Sequence, residues 1–143
     1  KYAKIDNPEN YITINMNGIK KTTPFHEIGH MVEYFNKDAK RLSNEFIEMR
    51  TKGEVEEKLN DILNMNCYGR EVAKKDNFIS PYIGKTYSSG STEVLSMGLE
   101  SVFEPTKEGQ YKGWDYKTGK PIWATIKDDE EYLHFIIGML LTV

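Results

Sequence analysis

Two histidines and a glutamate stand close together in the pattern His26-Glu27-Ile28-Gly29-His30. Residues four apart on a helix share one face, with about 5–6 Å between their Cβ atoms, so His26 and His30 can converge on one metal ion. Glu27 lies one position along and can face a water in the site, where it can act as general base. On a helix, this pattern predicts half of a zinc site together with a base for hydrolysis.

The residues around the pattern predict the helix that it requires. Thr22 and Thr23 offer hydroxyl groups that can cap a helix, and Pro24 follows at the first helical position, where its missing N–H costs nothing. Apolar residues then recur at helical spacing as far as about Asn36, namely Phe25, Ile28, Met31, Val32 and Phe35. We therefore expect the motif on a helix that runs from about Pro24 to Asn36.

A third ligand must come from elsewhere, because catalytic zinc takes three protein ligands and leaves the fourth position for water. The position six residues beyond His30 holds Asn36 rather than histidine, which excludes the Met-turn class of zinc peptidases. His134 is one candidate ligand, but it lies within a strongly apolar C-terminal segment.

Two glutamates on a later helix are the stronger candidates. Ser91 and Thr92 offer a cap, and apolar spacing predicts a helix over Glu93–Phe103. Glu93 and Glu100 lie about two turns apart on it and share a face. We expect Glu93 to bind the metal, because the helix dipole favours a carboxylate in the first turn. Glu100 is expected to accept the free N–H of a ligating histidine, and it is the alternative ligand.

Three side chains precede Glu93 on a segment that is predicted to be extended or looped over residues 77–90. Tyr82, Lys85 and Tyr87 each carry a group that can donate a hydrogen bond to a tetrahedral intermediate. Aromatic residues at these positions can also simply pack in the core. The sequence leaves both interpretations of the tyrosines open.

The composition predicts one domain over residues 1–143. The chain has 143 residues, of which 38% are hydrophobic and 29% charged, and this is the size of a single ordinary domain. We expect a piece excised from a longer protein or a processed product, because the chain starts at Lys1 with no initiator Met, no positively charged leader and no apolar signal core. Nineteen basic residues against 22 acidic ones give a net charge of −3, which indicates no nucleic-acid partner.

Cysteine content and hydropathy bear on the cellular compartment and on membrane association. Cys67 is the only cysteine, so the chain has no internal disulfide and no Cys-rich zinc module, which fits a cytoplasmic protein. The longest apolar run, Phe135–Leu141, is much shorter than the roughly 20 residues that span a membrane. We therefore expect no membrane partner.

The remaining patterns predict an α+β fold. The residues that alternate between apolar and polar over Asn10–Asn17 predict a strand, which could bind an extended substrate along its edge. The motif helix is expected to pack on a small mixed sheet that includes this strand, with the Glu93 helix crossing beneath the metal. The sequence also predicts two helices over Ala39–Thr51 and Glu54–Asn64 and a hairpin over Tyr111–Ile126. A terminal helix is predicted over Asp128–Leu141, where Asp128 and Glu131 form a capping pattern.

The segment 26–33, followed by a tyrosine and then a glutamate at a helix start, resembles the catalytic domain of the anthrax lethal factor family of gluzincin metallopeptidases. The resemblance implies a zincin-like fold and one zinc ion. The resemblance implies that His26, His30 and Glu93 bind the metal. It also implies that Glu27 is the general base and that Tyr87 donates to the oxyanion. The chain departs from that family at Met97, where lethal factor has a second glutamate, and in a longer interval between motif and ligand.

Residues 92–100 and 129–138 are similar to a zincin-like segment of phage head-morphogenesis or minor capsid proteins. This second resemblance implies a phage or prophage origin, a place in the host cytoplasm or the virion, and phage capsid or portal proteins as partners. Together the two resemblances imply provenance as well as fold.

The sequence predicts a zinc-dependent endopeptidase that hydrolyses a protein or peptide substrate, with Glu27 as general base. The first alternative is a non-catalytic structural domain of a phage head protein that keeps the zincin fold. The second is a toxin-type protease that is delivered into another cell, and it requires a delivery domain that is not in this chain.

Overall fold

A computed structural model describes residues 3–6, 11–14, 22–103 and 109–142 of the chain. Over these ranges the chain forms five α-helices and three two-stranded antiparallel sheets, together with two short 3-10 helices. The fold is therefore α+β. The prediction of a mixed sheet is wrong for the described strands, because each one pairs antiparallel with its neighbour in the sequence.

The helices are α1 (Thr23–Phe35), α2 (Lys37–Arg50), α3 (Leu59–Leu63), α4 (Val94–Phe103) and α5 (Glu130–Thr142). The strands pair as β1 (Ala3–Asp6) with β2 (Tyr11–Ile14), β3 (Glu57–Lys58) with β4 (Val72–Ala73), and β5 (Gln110–Asp115) with β6 (Lys120–Ala124). The 3-10 helices are Pro81–Gly84 and Ile126–Asp128.

The helix predicted around the histidine motif is confirmed as α1. Pro24 lies in its first turn, and the N–H of His26 closes that turn on the carbonyl of Thr22 at 3.1 Å. At the other end Asn36 is extended, and its Oδ1 accepts the N–H groups of Asp38 and Ala39, both at 3.0 Å. This cap starts α2 immediately, so the helix predicted from residue 39 begins two residues earlier.

Helices α1 and α4 pack with their backbones unusually close. A Cβ atom placed on Gly29 would lie only 2.5 Å from the N and Cα atoms of Ser96 and 2.7 Å from the carbonyl carbon of Leu95. Real Cβ atoms essentially never approach backbone so closely, so only glycine fits this position. Gly29 therefore sets the spacing between the motif helix and the helix that follows Glu93.

The main hydrophobic core lies between α2, α4, α5 and the segment around the first 3-10 helix. Tyr132 of α5 is fully buried, and its hydroxyl donates to the carbonyl of Val94 at 2.6 Å, which ties α5 to the first turn of α4. Among the core residues with the largest buried side chains are Phe46, Phe78, Ile79, Ile83, Tyr132 and Ile136.

Arg50, the last residue of α2, joins three parts of the chain. Its Nη1 and Nη2 donate to the two oxygens of Asp129 at 3.1 and 3.0 Å, and its Nε donates to Asp76 at 2.8 Å. The guanidinium carbon lies 4.7 Å from the centre of the Phe78 ring. Because both carboxylates are paired with one fork of donors, this half-buried charge is satisfied.

The helix predicted over Glu54–Asn64 is wrong in its first half. Glu57 and Lys58 pair with β4, and only Leu59–Leu63 is helical. The side chain of Glu54 accepts the N–H of Asp76 at 3.0 Å. These tertiary contacts override the local helix preference of residues 54–58.

Two further local predictions need correction. The terminal helix α5 is capped by Asp129, whose Oδ1 accepts the N–H of Tyr132 at 3.1 Å, and not by Asp128. Asp128 instead accepts the N–H of Thr125 at 2.7 Å and closes the preceding 3-10 turn. The segment predicted as extended contains a 3-10 helix over Pro81–Gly84, because the hydroxyl of Ser80 accepts the N–H two residues on.

The predicted hairpin near the C-terminus is confirmed as β5–β6, and the predicted N-terminal strand is confirmed over Tyr11–Ile14. The rest of that prediction, at residues 10 and 15–17, lies outside the described residues. In the described range β2 pairs only with β1, and β1 contacts α1. Among the described helices none has the length and apolar character to cross a membrane.

Candidate metal centre

The imidazoles of His26 and His30 both face the carboxylate of Glu93. The Nε2 atoms of His26 and His30 lie 3.3 and 3.1 Å from Glu93 Oε2. One ligand atom from each of the three residues lies within 4.8 Å of the other two. This group could therefore hold a metal ion.

The folding of α1 and α4 explains why the three residues meet. His26 and His30 are one turn apart on α1, and the Gly29 contact brings the start of α4 against the same face. Glu93 is 1% exposed and stands just before α4, because its carbonyl accepts the N–H of Met97 at 3.0 Å. The prediction that Glu93 lies inside the first turn is wrong by one residue, since the helix begins at Val94.

Glu100 lies where the sequence analysis placed it, behind the His26 ring. Its Oε2 is 3.1 Å from His26 Nδ1, so the hydrogen bond leaves Nε2 turned toward Glu93. His134, the other candidate ligand, is exposed on α5 and is not part of the group. Glu93 is therefore the carboxylate that faces both histidines, and Glu100 contacts the opposite nitrogen of the His26 ring.

Two hydroxyl groups hold the Glu93 carboxylate. Ser96 Oγ donates to Glu93 Oε2 at 2.6 Å, and the Tyr87 hydroxyl donates to Glu93 Oε1. Ser96 was missed by the sequence analysis, although a hydroxyl three residues after a helix-start carboxylate lies on the same face. Tyr82, the other tyrosine considered, is hydrogen-bonded to Tyr87.

A second buried carboxylate, Glu33, was also missed. Glu33 is 3% exposed, and its two oxygens accept the N–H and the hydroxyl of Thr92 at 2.9 and 3.1 Å. Thr92 Oγ1 in turn accepts the N–H of Val94 at 3.2 Å. The signal in the sequence is a charged residue seven positions after His26, on the motif face of the helix.

Lys85 does not face the group. Its ammonium pairs with Glu71 at 2.6 Å and lies 4.3 Å from the centre of the Tyr87 ring. The side chain is buried, so it supports the ring of Tyr87 rather than donating into the cleft.

Hydrogen bonds decide the charges of the ligand residues. Burial opposes a charge on His26, but its hydrogen bonds with Glu100 and Glu93 raise its pKa to about 9. Burial likewise opposes a charge on Glu93, but the hydrogen bonds with His26 and His30 hold its pKa well below the usual range. In the absence of a metal ion, a protonated His26 and an ionised Glu93 therefore form a buried ion pair near neutral pH.

Burial also shifts the two side chains beside the group. It raises the pKa of the Tyr87 hydroxyl well above its usual value, and the charge of Glu93 raises it further, so Tyr87 remains a donor. Burial raises the pKa of Glu27, against the opposing effect of both histidines, which makes its carboxylate a better base than an exposed glutamate.

A cleft of about 430 Å³ opens beside the group. Its walls carry Glu27, His30, Glu33, Tyr34, Lys40, Tyr87, Ser89 and Ser91. A second chamber, of about 650 Å³, is lined by Glu100 and Met97 and by several aromatic side chains, including Tyr82 and Trp114. Access to His30 and Glu27 is thus from the first, polar cleft.

No protein-family model, curated protein or solved structure matches the chain. The chemistry of the site therefore has to be argued from the geometry of its own residues.

Proposed function

We propose that this protein is a zinc-dependent endopeptidase of the gluzincin type, with a zincin-like fold, that hydrolyses a protein or peptide. The observation that carries the proposal is the convergence of His26, His30 and Glu93, with Glu27 and Tyr87 in the adjoining cleft. This donor set contains two imidazoles and one carboxylate, which is the ligand set of several catalytic zinc sites.

The distances from Glu93 Oε2 to the two histidine nitrogens are compatible with a shared zinc ion. With bonds of about 2.0–2.1 Å to nitrogen and oxygen, neighbouring ligands of a tetrahedral zinc ion lie about 3.3 Å apart. The two Nε2 atoms lie 3.3 and 3.1 Å from Glu93 Oε2. When bound there, zinc supplies a Lewis acid for a peptide carbonyl and lowers the pKa of water toward about 7.

Glu27 has the position of a general base. It follows His26 in α1, lines the cleft beside His30 and is not a member of the ligand group. In the proposed reaction its carboxylate takes a proton from the attacking water and returns it to the leaving amine. Its raised pKa suits both transfers.

Tyr87 has the position of an oxyanion donor. It lines the same cleft, and its hydroxyl keeps its proton because its pKa is raised. In the proposed reaction that hydroxyl leaves Glu93 and donates to the oxygen that becomes negative as the carbonyl is attacked. The hydrogen bond to Tyr82 restrains its position.

Metal analysis tests the proposal first. Protein purified without chelator is expected to contain about one zinc per chain. The variants His26→Ala and Glu93→Ala should lose it, whereas His134→Ala, which changes an exposed histidine, should keep it. A parent protein that binds no zinc, even after incubation with the ion, contradicts the proposal.

Activity is the second test. A zinc-loaded parent that cleaves peptides, together with a Glu27→Gln variant that keeps zinc and loses cleavage, would support hydrolysis by this site. Equal activity of both proteins would exclude Glu27 as the base.

One observation favours the alternative, a non-catalytic structural domain of a phage head or minor capsid protein. The buried pairs between Glu93 and the two histidines are mutually satisfied without a metal ion. On this alternative, His26→Gln lowers the stability of the metal-free protein, and zinc adds nothing to stability. Capsid and portal proteins are the partners that this alternative proposes.

A further inference from the structure

Some residues that line the cleft beside His30 take part in the proposed reaction, and others do not. Glu27, His30 and Tyr87 belong to the reaction, and the carboxylate of Glu33 is occupied by Thr92. The unused part of the wall consists of Tyr34, Lys40, Ser89 and Ser91.

Of the described residues that form that wall, Lys40 alone carries a cationic side chain. Its ammonium donates to the carbonyl of Ser89 at 3.3 Å, which uses one of three N–H groups. Among the residues that the structure describes, no carboxylate lies within 4.0 Å of this ammonium, so its charge has no paired anion there. The residue as a whole is half-buried, while the contact of its ammonium with Ser89 is exposed to solvent.

The hydroxyl groups next to Lys40 are held in place. Ser89 and Ser91 are in contact through their hydroxyl oxygens at 3.2 Å. Asn44 of α2 fixes the loop between them, because its Nδ2 donates to the carbonyls of Gly90 and Lys40 at 3.0 and 2.8 Å. Because Ser89 Oγ donates to Ser91 Oγ, the Lys40 ammonium and the remaining hydroxyl proton of the serine pair form a preorganised wall that offers donors to an anion.

The charge of the cleft selects the kind of anion. Lys40 brings one positive charge to a cleft that the carboxylates of Glu27 and Glu33 also line, so a group with a single negative charge fits better than a phosphate dianion. A carboxylate also accepts several hydrogen bonds at once, from an ammonium and from hydroxyls.

We propose that this wall binds a substrate carboxylate, so that the preferred peptides carry a carboxylate close to the bond that is cleaved. This inference rests on the proposed peptidase function. The carboxylate has two chemical sources: the side chain of an acidic residue, which an endopeptidase can recognise, or the free C-terminus of the peptide, which would make the activity that of a carboxypeptidase.

Matched peptides test the inference. A peptide that the zinc-loaded protein cleaves is first identified in a library made from a digested bacterial proteome. It is then resynthesised with each nearby acidic residue changed from Glu to Gln or from Asp to Asn, and separately with its C-terminal acid changed to an amide. We expect kcat/KM to fall about tenfold on loss of the critical carboxylate. A fall with the side-chain change identifies an acidic residue, and a fall with the amide identifies the C-terminus.

Variants of Lys40 test whether this side chain recognises the carboxylate of the peptide. Lys40→Met keeps the aliphatic stem and should lower kcat/KM about tenfold for the acidic peptide, mainly through KM, while leaving the neutral peptide unchanged. Lys40→Glu should reverse the preference in favour of a peptide with Lys at that position. Lys37→Met, an exposed change on the same helix and outside the cleft, should have no effect.

The outcomes separate this inference from the function on which it rests. Cleavage that needs zinc and Glu27 but is indifferent to the peptide carboxylate overturns the inference and leaves the peptidase proposal standing. If no peptide is cleaved, the peptidase proposal fails. Binding is then compared by NMR between acetyl-Ala-Glu-Ala-amide and acetyl-Ala-Gln-Ala-amide, and between Ala-Ala-Ala and its amide. Equal binding within both pairs overturns the carboxylate site as well.

Discussion

Glu33 accepts two hydrogen bonds from Thr92, so a carboxylate on the motif helix holds the residue that immediately precedes the metal-facing Glu93. Both residues are buried. The relationship means that α1 contributes the two histidines and also fixes the position of the glutamate that faces them.

Glu33→Gln should weaken zinc binding about tenfold while the protein remains folded. A glutamine has an uncharged NH2 group in place of one carboxylate oxygen, so the Thr92 hydroxyl loses its charged acceptor and the positioning of Glu93 is weakened. Zinc affinity is measured by competition with a chelator, and the d–d spectrum of the cobalt-substituted protein reports the ligand geometry. Glu48→Gln, an exposed change on α2, is the control. Unchanged affinity and spectrum would show that the contact does not position Glu93.

Gly29→Ala should destabilise the protein by about 1–3 kcal/mol, because the new methyl group would overlap the backbone of Ser96 and force α1 and α4 apart. Urea unfolding of the metal-free protein measures the change. Gly138→Ala is a matched control, since a Cβ atom on Gly138 of α5 meets no atom within 4 Å. That change should be neutral or stabilise the helix by up to about 1 kcal/mol. Equal effects of the two substitutions would contradict the close packing.

The metal-free protein should lose stability as the pH rises from about 6.5 to 9. The pKa of His26 is raised from 6.5 to about 9 in the folded state, so its protonated form stabilises the fold. This contribution is fully present below pH 6.5 and is lost as the pH passes through the folded pKa, about 3 kcal/mol in all. Thermal unfolding in the presence of a chelator measures it.

The control for this pH dependence is His26→Gln, which should remove it, whereas His134→Gln should not. Zinc binding should show the reverse trend and strengthen over the same pH range, because the ion requires a neutral His26. A stability of the chelated parent that is constant from pH 6.5 to 9 would contradict the ion pair between His26 and its two glutamates.

Tyr87→Phe should lower kcat about 100-fold without loss of zinc, because it removes the proposed oxyanion donor and leaves all three ligands. Steady-state kinetics on a peptide cleaved by the parent, together with metal analysis, measures both effects. Tyr116→Phe, at a position that is 76% exposed, is the control and should behave like the parent. A kcat equal to that of the parent would remove Tyr87 from the mechanism.

Much of the fold could be predicted because local chemistry determines it. The first turn of α1 carries Pro24, α1 and α4 show apolar spacing, and the β5–β6 hairpin has its turn signal between Asp115 and Lys120. In each of these the residues that form the element are also the ones that signal it. The spacing of the two motif histidines, and of Glu93 and Glu100, likewise predicts which side chains share a helix face.

The parts of the fold and of the site that the sequence did not predict depend on contacts between distant segments. Residues 54–58 have helical spacing, yet Glu57 and Lys58 pair with β4, because strand pairing and the Glu54 contact stabilise them more than an isolated helical turn does. The Glu33–Thr92 and Ser96–Glu93 bonds depend on how α1 and α4 cross. No pattern within one segment carries that information.

The three residues of the candidate centre come from opposite sides of a long intervening stretch that contains α2, β3, α3 and β4. An ion held by them would act as a cross-link that closes a large loop of the chain, and it would reduce the conformational entropy of the unfolded state rather than only adding contacts to the folded one. Folding and metal uptake would then be thermodynamically linked. The fraction of folded chains in a cell would follow the concentration of free metal as well as temperature.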